Sequence, residues 1–164
     1  MADLGQMANS VAVKFGIPPE IFYSLIGKES GNGAGSPAST WNPNAVGSSG
    51  EKGLAQLMPN TASSMGVSNA FDPLENMTGG AGYLSKLYKQ YGDWTSALSA
   101  YNSGSPNSSV GLQYASSVLN GAGVSSGSNT GGSSSGPSGI VSYGVAAVVI
   151  LILTVFGVWG VVKG

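Results

Sequence analysis

The segment that decides the fold is residues 18–30, PPEIFYSLIGKES, because it predicts a helix that carries a carboxylate on its apolar face. Prolines suit the first turn of a helix, where the missing amide hydrogen has no partner to lose. At about 100° per residue, Leu25 and Ile26 fall on the same face as Glu29. Burial disfavours a charged carboxylate, so we expect the pKa of Glu29 to rise towards neutrality and the group to hold a proton for donation. The alternative is that the helix ends here and Glu29 turns out to solvent.

Composition excludes several classes of function. The 164 residues include 6 basic side chains, all of them lysines, and 7 acidic ones, for a net charge of −1. Such a chain has no basic patch, so nucleic acid is not an expected partner. With no Cys and no His, thiol catalysis, disulfides, zinc-type sites and Ser-His-Asp hydrolysis are excluded. We therefore expect no metal and no cofactor, and any chemistry must use Glu, Asp, Lys, Tyr, Ser or the backbone.

Three segments follow one another along the chain. Residues 1–120 have the composition of a globular domain, whereas residues 121–139 are dominated by Gly and Ser and predict a flexible linker. Residues 140–162 carry no charge and are long enough for a single C-terminal transmembrane helix, since about 20 apolar residues cross a bilayer. The lipid bilayer is thus an expected partner. A buried core helix is the alternative, but no sequence follows that would cover it.

Capping residues predict that the domain is mainly helical, within an α+β class. In addition to the helix at 18–30, capping residues and turn-formers predict helices at about 4–15, 73–91, 94–101 and 110–120. Asp3, Asp72 and Asp93 precede three of these, as N-capping residues do. Residues 31–53 have no sustained period and many turn-formers, which predicts one long loop, with short strands at most, directly after Glu29.

Several blocks of sequence, taken in order, carry a family resemblance. They are ES at 29–30 with NPNA at 42–45, GLAQLMPNTA at 53–62, GAGYL at 80–84 and ALSAYNSG at 97–104. The series resembles the lytic transglycosylases of the soluble-lytic type, whose signature runs Glu-Ser, Asn-Pro-x-Ala, then Gly-Leu-Met-Gln-Leu-Met-Pro-x-Thr-Ala. The resemblance covers about residues 6–120.

The resemblance implies a lysozyme-like fold in which Glu29 is the single catalytic residue of a sugar-binding groove. The substrate would be the glycan strands of peptidoglycan, cleaved between N-acetylmuramic acid and N-acetylglucosamine. The glutamate would protonate the leaving oxygen and then, as a base, take the proton of the muramoyl 6-hydroxyl, which closes a 1,6-anhydro ring. Most glycosidases need two carboxylates, but an internal hydroxyl is held at high effective concentration, so one acid/base residue suffices.

A second carboxylate would instead favour hydrolysis. The other acidic residues of the domain are explained as helix caps or first-turn acids, and only Glu51 is unassigned. The family usually has a small residue at this position. Glu51 is therefore either a solvated loop charge or the residue that supports a lysozyme-type muramidase reaction.

The resemblance also implies a set of substrate-binding residues, which are Ser30, Ser48, Gln56, Met58, Tyr101 and Asn102. Gln56 either hydrogen-bonds the sugar or ties down loop backbone, and Met58 either lines the groove or packs. Tyr101 would reach the catalytic carboxylate, unless its hydroxyl is satisfied in the core, and Asn102 would lie near the sugar. Ser30 is more easily explained as a structural residue at the end of its helix.

Three positions depart from the family pattern. The family has Ser where this chain has Gly47, close to the catalytic glutamate, and Ser48 is the candidate replacement. Ala55 stands in place of the usual Met. Residues 31–40 are an insertion that we expect to lengthen one wall of the groove. The departure at Gly47 leaves open a third function, a catalytically inactive peptidoglycan-binding protein of a virion.

The cellular setting is a further expectation. Residues 1–16 lack a basic start followed by an apolar run, so no secretory signal is predicted. A tail-anchored enzyme whose substrate lies outside the cytoplasmic membrane fits the virion membrane of a bacteriophage, where it would open the cell wall as the genome enters. Other virion membrane proteins would then be candidate partners. The alternative is a bacterial inner-membrane protein that faces the periplasm.

Overall fold

The computed structural model describes residues 3–124, which contain six α-helices. They are α1 (Leu4–Lys14), α2 (Pro19–Ser30), α3 (Pro59–Ser64), α4 (Pro73–Tyr91), α5 (Trp94–Ser103) and α6 (Ser109–Gly121). A single 3₁₀ turn spans Ala38–Thr40. The expected transmembrane helix at 140–162 and most of the expected linker lie outside the described residues. No helix between residues 3 and 124 is long and apolar enough to cross a membrane.

Side-chain caps explain where the helices begin. The Asp72 carboxylate accepts a hydrogen bond from the amide of Glu75 at 2.8 Å, which satisfies one of the unpaired donors at the start of α4. Asp93 does the same for α5, accepting from the amide of Ser96 at 2.8 Å. Gly92 ends α4 in the left-handed conformation, with φ of 84°. These elements agree with the helices expected from the sequence, whereas the short helix α3 was not expected.

The core is built around α2. The side chains of Phe22, Leu25 and Ile26 have no solvent exposure, and α2 packs against α1 and α6. The most extensive helix pair is α5 with α6, which buries Leu98 and Val118 completely. Each fully buried side chain of this size contributes about 1.5–3 kcal/mol. Because α2 is held on its apolar face, the position of its last turn is fixed.

The segment between α2 and α3 is irregular, as expected. Within the described residues its β structure consists of two isolated antiparallel bridges, Val46 with Lys52 and Lys52 with Leu57. Residues 3–124 therefore realise the expected α+β class as a mainly helical fold whose only β structure is these two bridges.

The buried side chain of Asn76, from α4, holds this segment in place. Its Oδ1 accepts from the amide of Ala55 at 2.7 Å, and its Nδ2 donates to the carbonyl of Lys52 at 3.0 Å. Gly53 has φ of 78° and lies so close to Asn76 that a Cβ would be 2.5 Å from Nδ2. A glycine is required there for both reasons.

Candidate active site

Glu29 lies in the last turn of α2, partly buried, at the edge of a cavity. The pKa of its carboxyl is raised to about 7, chiefly by burial and to a smaller extent by the nearby charge of Glu51. The hydrogen bond from Tyr114 and the charge of Lys28 act in the opposite direction. A carboxyl with this pKa is present in both protonation states near neutral pH, as a group that donates and then accepts a proton requires.

Tyr114, from α6, is the residue that holds the carboxylate. Its hydroxyl donates a hydrogen bond to Oε1 of Glu29, and its side chain is only 7% exposed. Burial and the charge of Glu29 raise the pKa of Tyr114 well above its usual value, so the hydroxyl remains a donor. This residue was not identified from the sequence, because it lies on the buried face of α6 with Gly111, Ala115 and Val118 and has the pattern of a core residue.

Tyr101 differs from the expectation that its hydroxyl reaches Glu29. It donates instead to the carbonyl of Ala55 at 2.8 Å. The close packing of α4 on the loop explains this, since a Cβ on Gly80 would lie 3.2 Å from the Tyr101 hydroxyl and 2.5 Å from the Cβ of Ala55. The Tyr101 ring still forms part of the cavity wall, with its centroid 5.3 Å from that of Tyr83.

Two adjoining cavities form a cleft beside Glu29. The first, of about 260 Å³, is lined by Glu29, Gly47, Ser48, Glu51, Gln56, Met58, Tyr101 and Asn102. The second, of about 210 Å³, shares Gln56, Met58, Tyr101 and Asn102 with the first and adds Leu57, Thr61, Tyr83 and Gly104. The cleft thus combines hydrogen-bonding groups with aromatic and thioether surface, which suits a ligand with polar edges and apolar faces.

Five of the six expected substrate-binding residues line this cleft, and Ser30 does not. The Ser30 hydroxyl donates to the carbonyl of Ile26 at 3.1 Å, within its own helix, and the side chain is buried. Gln56 uses its amide nitrogen on loop backbone, donating to Ala45 at 3.2 Å and to Gly53 at 2.8 Å. It is the one non-glycine residue between 3 and 124 with positive φ, at 45°, a strained conformation typical of functional sites.

The insertion at residues 31–40 does not line either cavity, so the expected lengthening of the groove wall is not seen there. It packs against α2 instead, where the amide of Ala38 donates to the Tyr23 hydroxyl at 2.9 Å. It also reaches the end of α6, since a Cβ on Gly35 would lie 2.6 Å from the carbonyl oxygen of Gly121. The insertion therefore packs against the middle of α2 at Tyr23 and against the end of α6 at Gly121.

Comparison with known proteins places the chain in a family. Residues 6–118, more than half of the chain, match the family described as the Transglycosylase SLT domain, and the chain belongs to this family. The expected resemblance is thereby confirmed.

Two relatives illustrate the extent of the similarity. A transglycosylase of Enterobacteria phage PRD1 is 36% identical over 105 residues, which cover 64% of this chain and 36% of the phage protein. The membrane-bound lytic murein transglycosylase F of Pseudoalteromonas translucida is 45% identical over 74 residues, covering 40% of this chain and 16% of the relative. The chain therefore spans only about a third, or less, of the length of these relatives.

Two solved structures share the fold. An inactive mutant of the lytic transglycosylase Slt from Pseudomonas aeruginosa matches with a TM-score of 0.59 and 23% identity, over 71% of this chain and 23% of that chain. The 70-kDa soluble lytic transglycosylase in complex with bulgecin A matches with a TM-score of 0.59 and 22% identity, over 73% of this chain and 23% of that chain. The expected mainly helical, lysozyme-like fold is confirmed.

Proposed function

We propose that this protein is a peptidoglycan lytic transglycosylase in which Glu29 acts first as general acid and then as general base. The observation that carries the proposal is the Glu29 carboxyl, which opens on the cleft with a pKa of about 7 and is oriented by the Tyr114 hydroxyl. Membership of the Transglycosylase SLT domain family supports the substrate class.

The reaction proceeds in two proton transfers and consumes no water. In the first, protonated Glu29 gives its proton to the glycosidic oxygen while the bond from that oxygen to the muramoyl anomeric carbon breaks, and the leaving N-acetylglucosamine keeps the electron pair. In the second, the muramoyl 6-hydroxyl oxygen bonds to the anomeric carbon and its proton passes to the Glu29 carboxylate. The products are a 1,6-anhydro-muramoyl end and a free N-acetylglucosamine end, and Glu29 is again protonated.

The surroundings of Glu29 suit both halves of this cycle. With a pKa of about 7, Glu29 is present both as the acid and as its conjugate base near neutral pH. Proton transfer from Glu29 and back to it is then efficient in both directions. The Tyr114 hydrogen bond stabilises the carboxylate formed after the first transfer and fixes its orientation for the second. An attacking hydroxyl on the substrate itself removes the need for a residue that activates water.

Mass spectrometry of digested peptidoglycan tests the proposal. The full-length chain should release muropeptides with 1,6-anhydro ends, and Glu29→Gln should release none while keeping its fold. Products ending in reducing muramic acid would contradict the transglycosylase assignment.

Glu51 gives a specific reason to keep a muramidase as the second candidate, because it lines the same cavity as Glu29. A hydrolase would incorporate ¹⁸O from labelled water at the new reducing end, whereas a transglycosylase would incorporate none. An inactive binding protein would retain peptidoglycan equally well with and without Glu29→Gln and would release no products.

We further propose that the enzyme works at a membrane, in the virion of a bacteriophage, and opens the cell wall as the genome enters. The uncharged segment at 140–162 and the similarity to a transglycosylase of Enterobacteria phage PRD1 support this setting. Other virion membrane proteins are then candidate partners. Immunodetection in purified virions is the test, and a protein found only in the inner membrane of the bacterium would favour the alternative setting.

A further inference from the structure

Glu51 is a charged group of the cleft that the mechanism above does not use. It follows a tight turn in which the amide of Gly47 donates to the Glu51 carbonyl at 2.8 Å and the amide of Gly50 donates to the Gly47 carbonyl at 3.1 Å. Its side chain folds back over this turn, where Oε2 accepts a hydrogen bond from the amide of Ser49 at 3.0 Å. An amide donor stabilises the anionic form of a carboxylate and fixes its orientation. The Glu51 carboxylate is therefore held in a defined orientation at the wall of the cavity.

Gly47 provides the space that this carboxylate occupies. A Cβ at position 47 would overlap Oε2 of Glu51 and would lie 2.8 Å from Oε1 of Gln56. Gly47 is not among the glycines with positive φ, so its backbone conformation is open to any residue. A side chain at position 47 would therefore displace the ends of the Glu51 and Gln56 side chains, whereas the turn itself would accept it.

The charges and titratable groups that face Glu29 come from four elements. They are Lys28 on α2, Glu51 in the loop, Tyr101 on α5 and Tyr114 on α6. Both tyrosines are neutral donors near neutral pH, because their pKa values are raised well above the usual range. Glu51 is consequently the negative charge in this set that remains when Glu29 is protonated.

We propose that Glu51 is a second functional carboxylate of the cleft, seated in the space that Gly47 leaves open, and that its negative charge stabilises the positive charge that develops on the sugar as the glycosidic bond breaks. The inference rests on the proposed function. Glycosidic cleavage passes through an oxocarbenium-like transition state, and a negative charge already held in place beside it stabilises that state without reorganisation. Glu51 forms no bond to the sugar, so the proton and electron balance of the reaction is unchanged.

The substitution Glu51→Gln removes the charge and keeps the shape, and Glu20→Gln is the matched control, since Glu20 is exposed in the first turn of α2. On purified glycan strands, E51Q should lower kcat about a hundredfold to a thousandfold, the size of one preorganised electrostatic contact, with KM nearly unchanged. Because Glu51 raises the pKa of Glu29, the descending limb of the pH–rate profile should also move to lower pH in E51Q. E20Q should show neither effect.

A second variant protects the test against misfolding of E51Q. Gly47→Ala keeps Glu51 but displaces its carboxylate, so it should reproduce the loss of kcat. If E51Q and G47A both retain the wild-type kcat and pH midpoint, the proposed role of Glu51 is overturned. The proposed function of the protein still stands in that case, provided that anhydro ends form and E29Q is inactive. If the wild type instead gives reducing ends that vanish in E51Q, the transglycosylase assignment fails, and with it the purely electrostatic role of Glu51.

Discussion

The raised pKa of Glu29 should make the wild-type protein less stable at high pH than a variant that lacks this carboxyl. In the folded state the pKa is about 7, against 4.5 for a glutamate in the unfolded chain. Between these two pH values the folded protein binds more protons than the unfolded chain, so the free energy of unfolding falls as pH rises. The contribution of Glu29 is fully present below about pH 4.5 and is lost as pH rises through about 7.

The magnitude follows from the shift. One pKa unit corresponds to about 1.36 kcal/mol, so a shift of about 2.5 units (7 − 4.5) corresponds to about 3 kcal/mol between the two limits. Glu29→Gln removes the ionisation but keeps an oxygen that accepts from the Tyr114 hydroxyl. We therefore expect E29Q to match the wild type near pH 4 and to exceed its free energy of unfolding by about 3 kcal/mol near pH 8.5.

Urea titrations of the full-length chain at a series of pH values, followed by tryptophan fluorescence, measure this difference. Glu20→Gln is the control, because it makes the same chemical change at an exposed glutamate at the other end of the same helix. A difference between E29Q and the wild type that stays constant from pH 4 to pH 8.5 would refute the reasoning, since it would show that the carboxyl titrates normally in the folded protein.

Three further predictions concern the groups around Glu29. Tyr114→Phe removes a hydrogen bond that lowers the pKa of Glu29. Hydrogen bonds to charged groups contribute about 1.5–3 kcal/mol, so the midpoint of the descending pH–rate limb should rise by about one to two units, opposite in sign to the shift in E51Q. Gly47→Ala should lower kcat/KM more in the wild type than in a Glu51→Ala background, where only the close approach to Oε1 of Gln56 remains. Equal effects in both backgrounds would deny the steric coupling to Glu51. Asn76→Ala leaves the Ala55 amide and the Lys52 carbonyl unpaired, and it should lower the free energy of unfolding by about 3 kcal/mol in urea titrations; a change below about 0.5 kcal/mol, as expected for an exposed site, would contradict this.

The helices could be predicted because capping residues and turn-formers next to them in the sequence determine where they begin and end. An aspartate before Pro73 and a glycine after Tyr91 specify the start and the end of α4 without reference to any other element. Helix α3 was not predicted because Pro59–Ser64 is too short a segment to show a periodic pattern. The expected placement of the polar residues of the cleft depended on the family resemblance and not on periodicity.

The tyrosine contacts could not be predicted, because they depend on how the helices cross. Tyr101 and Tyr114 both lie on helices that pack against the core, and nothing local distinguishes a tyrosine that bonds a carbonyl from one that bonds a carboxylate. The choice is made by the approach of α6 to α2 and by Gly80, which lets α4 come close to the loop at Ala55. Sequence blocks identify the residues near a site, and tertiary packing assigns their partners.

Gly47 and Glu51 both depart from the expected family pattern, and the structure shows that the two departures are connected. In the sequence, the missing serine at Gly47 weakens the case for catalysis, and Glu51 is an unexplained charge four positions later. The turn that joins them brings the Glu51 side chain onto the space that a residue at 47 would fill. A side chain at 47 would have to displace Glu51, and loss of Glu51 would leave that space open to a larger residue. The two positions are therefore sterically coupled, and the effect of either on catalysis has to be measured by changing both.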